Sequence, residues 1–215
     1  MGNLKKIDSQ GSVSLESQPH GWPSSIAPSW SYEPGYDQAL LETWLFKLRK
    51  ERYISRLSSK QHDFFVAEIA DAVHVIATDS ENRVLLVRQF RVGSRTDSLE
   101  TPGGLIDPGE DPLVAAAREL VEETGYRGEN PRLIGAFWSL PSLGTSRIWT
   151  VVIENVVKVA EPHGDPTEEL QLEWQSPVEI PRLITLGDIH HGCVITGLMV
   201  WLMGMELPKG SSQVG

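Results

Sequence analysis

The feature that most constrains this fold is a stretch with a complete set of helix boundary signals, "DPLVAAARELVEETG", at residues 111–125. Asp111 can cap the helix, Pro112 suits the first helical position, and Gly125 suits the C-terminal stop. Residues spaced three and four apart share one helical face, which should pack inward: Leu113, Ala116, Ala117, Leu120 and Thr124. The sequence therefore predicts an amphipathic helix over residues 111–124.

The same helix concentrates acidic side chains, with Glu119, Glu122 and Glu123 on barely more than one turn. Like charges four residues apart destabilise an isolated helix by roughly a few tenths of a kcal/mol per pair. Arg118 lies one turn before Glu122 and can pair with it, which leaves Glu119 and Glu123 uncompensated. A divalent cation would compensate them, because magnesium is held by one or two carboxylates together with waters and substrate phosphates. For three glutamates alone, the alternative is a solvated acidic face.

The spacing around these glutamates carries a family resemblance. Gly104, five residues, Glu110, seven residues, and then "RELVEETGY" at 118–126 fill every fixed position of the Nudix box. The chain thus resembles Nudix hydrolases, which implies an α/β/α sandwich with a mixed sheet. It also implies hydrolysis of nucleoside diphosphates linked to another moiety, with Mg²⁺ or Mn²⁺ as cofactor.

Matching the box position by position assigns roles to individual residues. The resemblance implies that Glu119 and Glu123 bind the metal, with Glu122 as a further ligand or as a partner of a ligand. The carbonyl of Gly103 stands in the place of a backbone ligand, and Arg118 in the place of a residue that orients the glutamates.

The sequences flanking the box, "VLLVRQFRVG" and "LETPGGLIDPGE", are similar to those of ADP-ribose pyrophosphatases and related nucleoside-diphosphate-sugar hydrolases. This similarity extends over roughly residues 44–205. It implies that Arg91 contacts the diphosphate and that Glu100 contacts ligand or water. Pro141 stands where this branch commonly has proline, although a proline there can simply end a strand. Arg147 departs from the branch, which often has an acidic residue at that point.

The branch also supplies a general base from a late acidic loop. Glu169 is the first candidate here and Glu168 the second, and the alternative for each is a solvated loop carboxylate. In addition, the branch forms a homodimer through an N-terminal sheet, with an aromatic side chain that stacks on the base across the interface. Trp44 is the candidate for that stacking, or else an ordinary core residue, and Trp22 and Trp30 are further candidates.

The rest of the chain predicts four segments. Residues 1–36, rich in Ser, Pro and Gly, are an irregular tail, and 37–70 form a β-rich dimerisation segment with a strand from Trp44 to Leu57. Residues 71–207 form the Nudix domain, and 208–215 a C-terminal tail. Within the domain the sequence predicts a hairpin over 72–91, strands near 98–102, 131–141, 146–159 and 170–176, and late helices over 178–186 and 187–205.

Composition and charge argue against nucleic-acid binding, secretion and insertion into a membrane. The net charge of −10 does not favour broad binding to nucleic acid, which needs Lys and Arg to neutralise phosphates. Cys193 is the single cysteine, so no intrachain disulfide can form, and a reducing, cytoplasmic location is expected. The N-terminus has no apolar run typical of a signal peptide. The apolar segment 193–205 is shorter than the about 20 residues that a bilayer requires, so no membrane contact is expected.

The sequence therefore predicts a metal-dependent pyrophosphatase that converts a nucleotide sugar, first of all ADP-ribose, into a nucleoside monophosphate and a sugar phosphate. One alternative is a Nudix hydrolase of the nucleotide pool or of dinucleotide polyphosphates. Another is a sensor domain that binds nucleotide sugars without hydrolysing them, although the filled box argues against it.

Overall fold

The computed structural model describes residues 28–163 and 169–204. The chain divides into two compact units, one that ends at Glu68 and one that spans Ile69–Leu207. Glu168 and Trp22 lie outside the described residues.

The N-terminal unit is a three-stranded sheet in the order β1-β2-β3, formed by β1 (Trp30–Glu42), β2 (Phe46–Ser55) and β3 (Gln61–Ile69). The sequence predicted irregular chain up to residue 36, and this was wrong for β1. Pro34 and Gly35 belong to the stretch predicted to be irregular, but they lie inside the strand, where the register with β2 shifts between Glu33 and Gln38. Gly35 takes a positive φ of 90° there, so the pair forms an irregularity in the strand without ending it.

The second unit contains a six-stranded sheet in the order β6-β5-β4-β8-β7, with β9 paired to β5. Strands β4 and β8 run parallel, whereas the other pairs are antiparallel, so the sheet is mixed. The strands are β4 (Ala72–Thr78), β5 (Val84–Arg91), β6 (Thr96–Glu100), β7 (Tyr126–Trp138), β8 (Arg147–Lys158) and β9 (Gln171–Gln175).

Helices cover both faces of this sheet, which confirms the α/β/α sandwich. Helix α1 (Pro112–Thr124) packs on one face, in a core with Val73 and Val75 of β4. On the other face, α2 (Ile180–Leu186) and α3 (Gly192–Leu202) pack in a second core with Ile76 of β4. Because side chains alternate along a strand, β4 supplies both cores.

Most predicted elements are present, with shifted ends. Asp79 accepts hydrogen bonds from the backbone N–H groups of Glu81 and Arg83, which closes the predicted β4–β5 hairpin. The inward face of α1 is rotated from the prediction, since Ala117 is exposed and Ala115 is buried. Strand β7 begins at residue 126, five residues before its predicted start.

The last helix begins later than predicted. Gly187 ends α2 in the left-handed conformation, with φ 83°, so α3 starts only at Gly192. Its eleven residues are too few to cross a bilayer, and none of the helices within 28–163 and 169–204 is long and apolar enough to do so.

The end of α1 depends on a glycine for two reasons. Gly125 has φ 74°, and its carbonyl accepts hydrogen bonds from the backbone of Val159 and Ala160, which follow β8. A Cβ at this position would lie 2.1 Å from the carbonyl oxygen of Ala160. The corresponding cap of α2, Gly187, has open space around it.

We therefore expect Gly125→Ala to lower the free energy of unfolding by about 2–4 kcal/mol, because left-handed strain and the clash with Ala160 add. Gly187→Ala should cost only the conformational strain, about 1–2 kcal/mol. Urea denaturation of both variants measures the difference. Equal losses would contradict the role assigned to the close approach at Gly125.

Candidate functional site

The loop between β6 and α1 lies directly against the first residues of β4. The backbone N–H groups of Val73 and Val75 donate to the carbonyls of Gly104 and Pro102, at 2.9 and 2.7 Å. A Cβ at Gly103 would lie 2.0 Å from the carbonyl oxygen of Val73. Only glycine allows this approach, so the sheet fixes the position of the loop.

Three glutamates of α1 lie along the edge that faces this loop. Glu123 is buried and accepts a hydrogen bond from the N–H of Gly103 at 2.9 Å. Glu119 lies against Gly104, where an added Cβ would come within 2.4–2.6 Å of its carboxylate atoms. Glu122 is the most accessible of the three, with a side chain 37% exposed. We call these three residues and the adjoining Gly103 the glutamate edge.

Arg118 is the main cation at the glutamate edge. Its guanidinium donates two hydrogen bonds to Glu110, at 3.0 and 2.9 Å, and one each to Glu119 at 2.7 Å and Glu122 at 3.1 Å. The predicted pairing with Glu122 is present. The expectation that Glu119 would be uncompensated was wrong, because the same guanidinium nitrogen bridges both carboxylates.

These contacts have an electrostatic consequence. The hydrogen bonds from Arg118 hold the pKa of Glu110 below its usual value, and they raise the pKa of Arg118 itself. At neutral pH Glu110 is therefore ionised beside a permanent cation.

The glutamate edge suits a hard divalent ion, because it offers oxygen donors alone and the loop leaves no room for a side chain at Gly103 or Gly104. Within the described ranges, however, no three His, Cys, Asp or Glu side chains already converge as metal ligands. Arg118 contacts two of the three glutamates directly. It does so through one oxygen of each carboxylate, Oε1 of Glu119 and Oε2 of Glu122.

Arg91 and Glu100 form a second polar pair. Both oxygens of Glu100 accept hydrogen bonds from the Arg91 guanidinium, at 3.0 and 2.8 Å, and the Glu100 side chain is only 1% exposed. Burial acts to raise the pKa of Glu100, but the contacts with Arg91 outweigh it and leave that pKa below its usual value. The pair lines a cavity of about 410 Å³ together with residues of the β5–β6 turn and the start of α3.

The remaining sequence-predicted residues are less enclosed. Trp44 lies in the turn between β1 and β2 and is 91% exposed, so the alternative that it is a core residue was wrong. Pro141 is exposed in the loop between β7 and β8, and Glu169 is exposed before β9. Trp30 packs edge-on against Phe64, with ring centroids 5.4 Å apart.

Two groups of residues escaped the sequence reasoning. His74 of β4 is buried and packs edge-on against His191, with ring centroids 5.5 Å apart. Burial lowers the pKa of His74 to about 3 and also lowers that of His191. The carboxylate of Asp71 accepts hydrogen bonds from the backbone N–H and the guanidinium of Arg147. Arg147, which departs from the ADP-ribose branch, thus has a structural partner in this chain.

Comparisons with known proteins agree with this geometry. A family model described as NUDIX domain matches residues 68–196. The ADP-sugar pyrophosphatase of Mus musculus is 44% identical over 161 residues, which cover 67% of this chain and 70% of that protein. The ADP-ribose pyrophosphatase of Bacillus subtilis is 33% identical over 117 residues, covering 54% and 59%.

A further relative and a solved structure extend these matches. The methanol dehydrogenase activator of Bacillus methanolicus is 36% identical over 98 residues, covering 46% of this chain and 53% of that protein. The chain thus spans between half and two thirds of several curated relatives. A solved structure entitled "Crystal structure of ADP compounds hydrolase" superposes with a TM-score of 0.72 at 22% identity, over 84% of this chain and 98% of that one. This likeness supports the fold.

Arg118→Gln should destabilise the protein, because Glu110, Glu119 and Glu122 would lose their shared cation. We expect a loss of about 1–3 kcal/mol in urea denaturation at pH 7 without divalent metal. Since the folded-state pKa of Glu110 lies below its unfolded value, the stabilisation is complete above the unfolded pKa and is lost as pH falls through the folded one. The difference between variant and parent should therefore shrink in acid.

Arg182→Gln serves as the control, because Arg182 forms a single exposed ion pair with Glu179 at 3.4 Å. It should change stability by less than about 1 kcal/mol at either pH. If Arg118→Gln behaved like this control, Arg118 would not be what holds the carboxylates together.

Proposed function

The chain belongs to the Nudix family, as its sequence predicted, and we propose that it is a pyrophosphatase of nucleoside-diphosphate sugars. It would release a nucleoside monophosphate and a sugar phosphate, with ADP-ribose as the first substrate to test. The observation that carries this proposal is the glutamate edge, held against the β6–α1 loop on a fixed sheet. The names of the mouse and Bacillus subtilis relatives support the substrate class.

Nudix hydrolases generally need a divalent metal, and we propose Mg²⁺ or Mn²⁺ here. Glu119, Glu123 and the carbonyl of Gly103 would hold the ion, with Glu122 as a further ligand. Held by these residues, such an ion would supply neutralisation of the diphosphate charge and a water of lowered pKa. Arg118 keeps Glu119 and Glu122 at the same edge, which restrains their side chains before the ion arrives.

We assign the other predicted residues to substrate binding and to proton transfer. Arg91 donates to the diphosphate, and its planar group is already oriented by two hydrogen bonds to Glu100. Pro141 borders the substrate from the β7–β8 loop. Glu169, or in second place Glu168, accepts the proton of the attacking water. The water oxygen bonds to one phosphorus, the bond from that phosphorus to the bridging oxygen breaks, and the bridging oxygen leaves with the other phosphate.

The N-terminal unit would form a homodimer. Its described residues expose an unusual number of large apolar side chains, more than isolated surface positions need: Tyr36, Leu40, Leu41, Trp44, Leu45 and Phe65. We place Trp44 on the base of a substrate bound to the partner subunit, since stacking accepts any base. The single cysteine supports a cytoplasmic location, where a lone thiol stays reduced.

A substrate panel tests the proposal against its alternatives. The protein is incubated with magnesium and either ADP-ribose, GDP-mannose, diadenosine polyphosphates or nucleoside triphosphates, and the products are separated by chromatography. Nucleoside monophosphate from the nucleotide sugars alone is the expected result. Diphosphate from the triphosphates would favour a nucleotide-pool hydrolase, and binding without any product would favour a sensor.

Glu123→Gln should lower kcat/KM for ADP-ribose by about 100-fold or more, because it removes a negative metal ligand but keeps the side-chain shape and the acceptor for Gly103. Circular dichroism should show an unchanged fold. Glu129→Gln, an exposed glutamate of β7, is the matched control and should retain full activity. Near-normal turnover by the Glu123 variant would refute the assigned role.

Trp44→Ala should raise KM for ADP-ribose by about 5- to 100-fold with little change in kcat, because base stacking contributes about 1–3 kcal/mol. Leu57→Ala, in the exposed turn after β2, is the control and should leave KM unchanged. Light scattering monitors the oligomeric state in parallel. A monomeric protein with full activity would contradict stacking across subunits.

A further inference from the structure

The cavity beside Arg91 and Glu100 contains polar groups that the proposed chemistry does not use. It lies between the β5–β6 turn and the first residues of α3, and its lining includes Ser94, His191 and Gly192. His191 stands at the N-cap of α3, and its side chain makes no capping hydrogen bond there. The N–H groups of the first turn of α3 therefore have no side-chain cap at the cavity.

The imidazole of His191 in the cavity wall packs against the imidazole of His74. The Nδ1 atoms of His74 and His191 are both buried without a hydrogen-bond partner among the described residues. Since Nδ1 of His191 is enclosed and its ring lines the cavity, Nε2 is the ring nitrogen that it can offer to a ligand. His74 packs against the same ring and holds it in place.

Beyond Arg91, which we assign to the diphosphate, the charges at the cavity favour a neutral group. The guanidinium of Arg91 is matched by the buried carboxylate of Glu100. Burial keeps His191 mainly neutral, because it lowers the pKa of the imidazole. A neutral imidazole can donate or accept at Nε2, and a carboxylate accepts. These groups are complementary to hydroxyls, which both donate and accept.

A metal ion fits this place poorly. Both oxygens of Glu100 bind Arg91, and the part of the chain that the structure describes contains no three converging ligands. The position instead suits one end of an extended substrate. Arg91, which we assign to the diphosphate, also lines the cavity. A diphosphate held by Arg91 would therefore bring its attached group next to the cavity.

We propose that the cavity is the subsite for the sugar attached to the second phosphate, and that His191 selects for it by hydrogen bonding a sugar hydroxyl. This rests on the proposed function, because it assumes a diphosphate bound at the glutamate edge. His74 is a positioning residue that keeps the His191 ring in place. The subsite would distinguish nucleotide sugars from diphosphate esters that carry no hydroxyl-bearing group.

The test compares ADP-ribose with the β-methyl ester of ADP, which has the same kind of diphosphate diester but no sugar. His191→Leu removes the ring nitrogens, and His191→Gln keeps a donor and an acceptor near the position of Nε2. We expect His191→Leu to lower kcat/KM for ADP-ribose about 3- to 10-fold and to leave the methyl ester within twofold of the parent. His191→Gln should recover part of the loss. Equal losses on both substrates, or none on either, would overturn the proposal.

A binding measurement separates this proposal from the proposed function. Protein labelled with ¹⁵N-histidine is titrated without divalent metal, and the His191 signals are identified by their loss in the His191→Leu spectrum. ADP-ribose should shift them and the methyl ester should not. If the imidazoles respond but no hydrolysis is found, the subsite stands and the pyrophosphatase assignment fails. If hydrolysis is found and the imidazoles do not respond, the subsite is wrong.

Discussion

The structure of the candidate site depends on one guanidinium placed among carboxylates. Arg118 contacts Glu110 before the helix and Glu119 and Glu122 on it. Without a cation there, the mutual repulsion of these groups would oppose both the helix and its approach to the glycine loop. With it, the carboxylates stay close together. The arrangement that stabilises the fold therefore also holds together the carboxylates that we propose as ligands of a divalent metal ion.

The second requirement is the backbone contact between the glycine loop and β4. Gly103 packs against the backbone of β4 and Gly104 against the carboxylate of Glu119, and neither position has space for a side chain. The loop, the sheet and the helix therefore fix one another's positions. Glu123 completes this contact by accepting the N–H of Gly103. Metal ligands placed this way lie on rigid elements, which is the arrangement that precise coordination needs.

Local signals in the sequence predicted the local parts of the structure. The cap, the proline and the final glycine of α1 each act within one turn, and the helix has the predicted bounds. The Pro34–Gly35 pair is also a local signal, but pairing with β2 overrode it, and no window of sequence contains that pairing. The link from Arg118 to Glu119 was missed for another reason: a helical wheel separates neighbouring residues, whereas a long guanidinium can reach both sides.

Convergence of distant residues could not be predicted outside the Nudix box and the sequences that flank it. His74, Glu100 and His191 come from a strand, a strand end and a helix cap, and their meeting depends on the register of the whole sheet. The Nudix box identified the glutamates because its spacing repeats a known pattern. The cavity has no such pattern, and only the folded chain reveals it.

Strand β4 has a consequence that reaches beyond the site. It lies in the middle of the sheet order, supplies both hydrophobic cores, and hydrogen bonds the glycine loop through Val73 and Val75. The loop cannot detach without exposing backbone groups in the centre of the sheet. The glutamate edge and the domain therefore belong to a single cooperative unit, in which partly unfolded molecules do not retain an assembled edge.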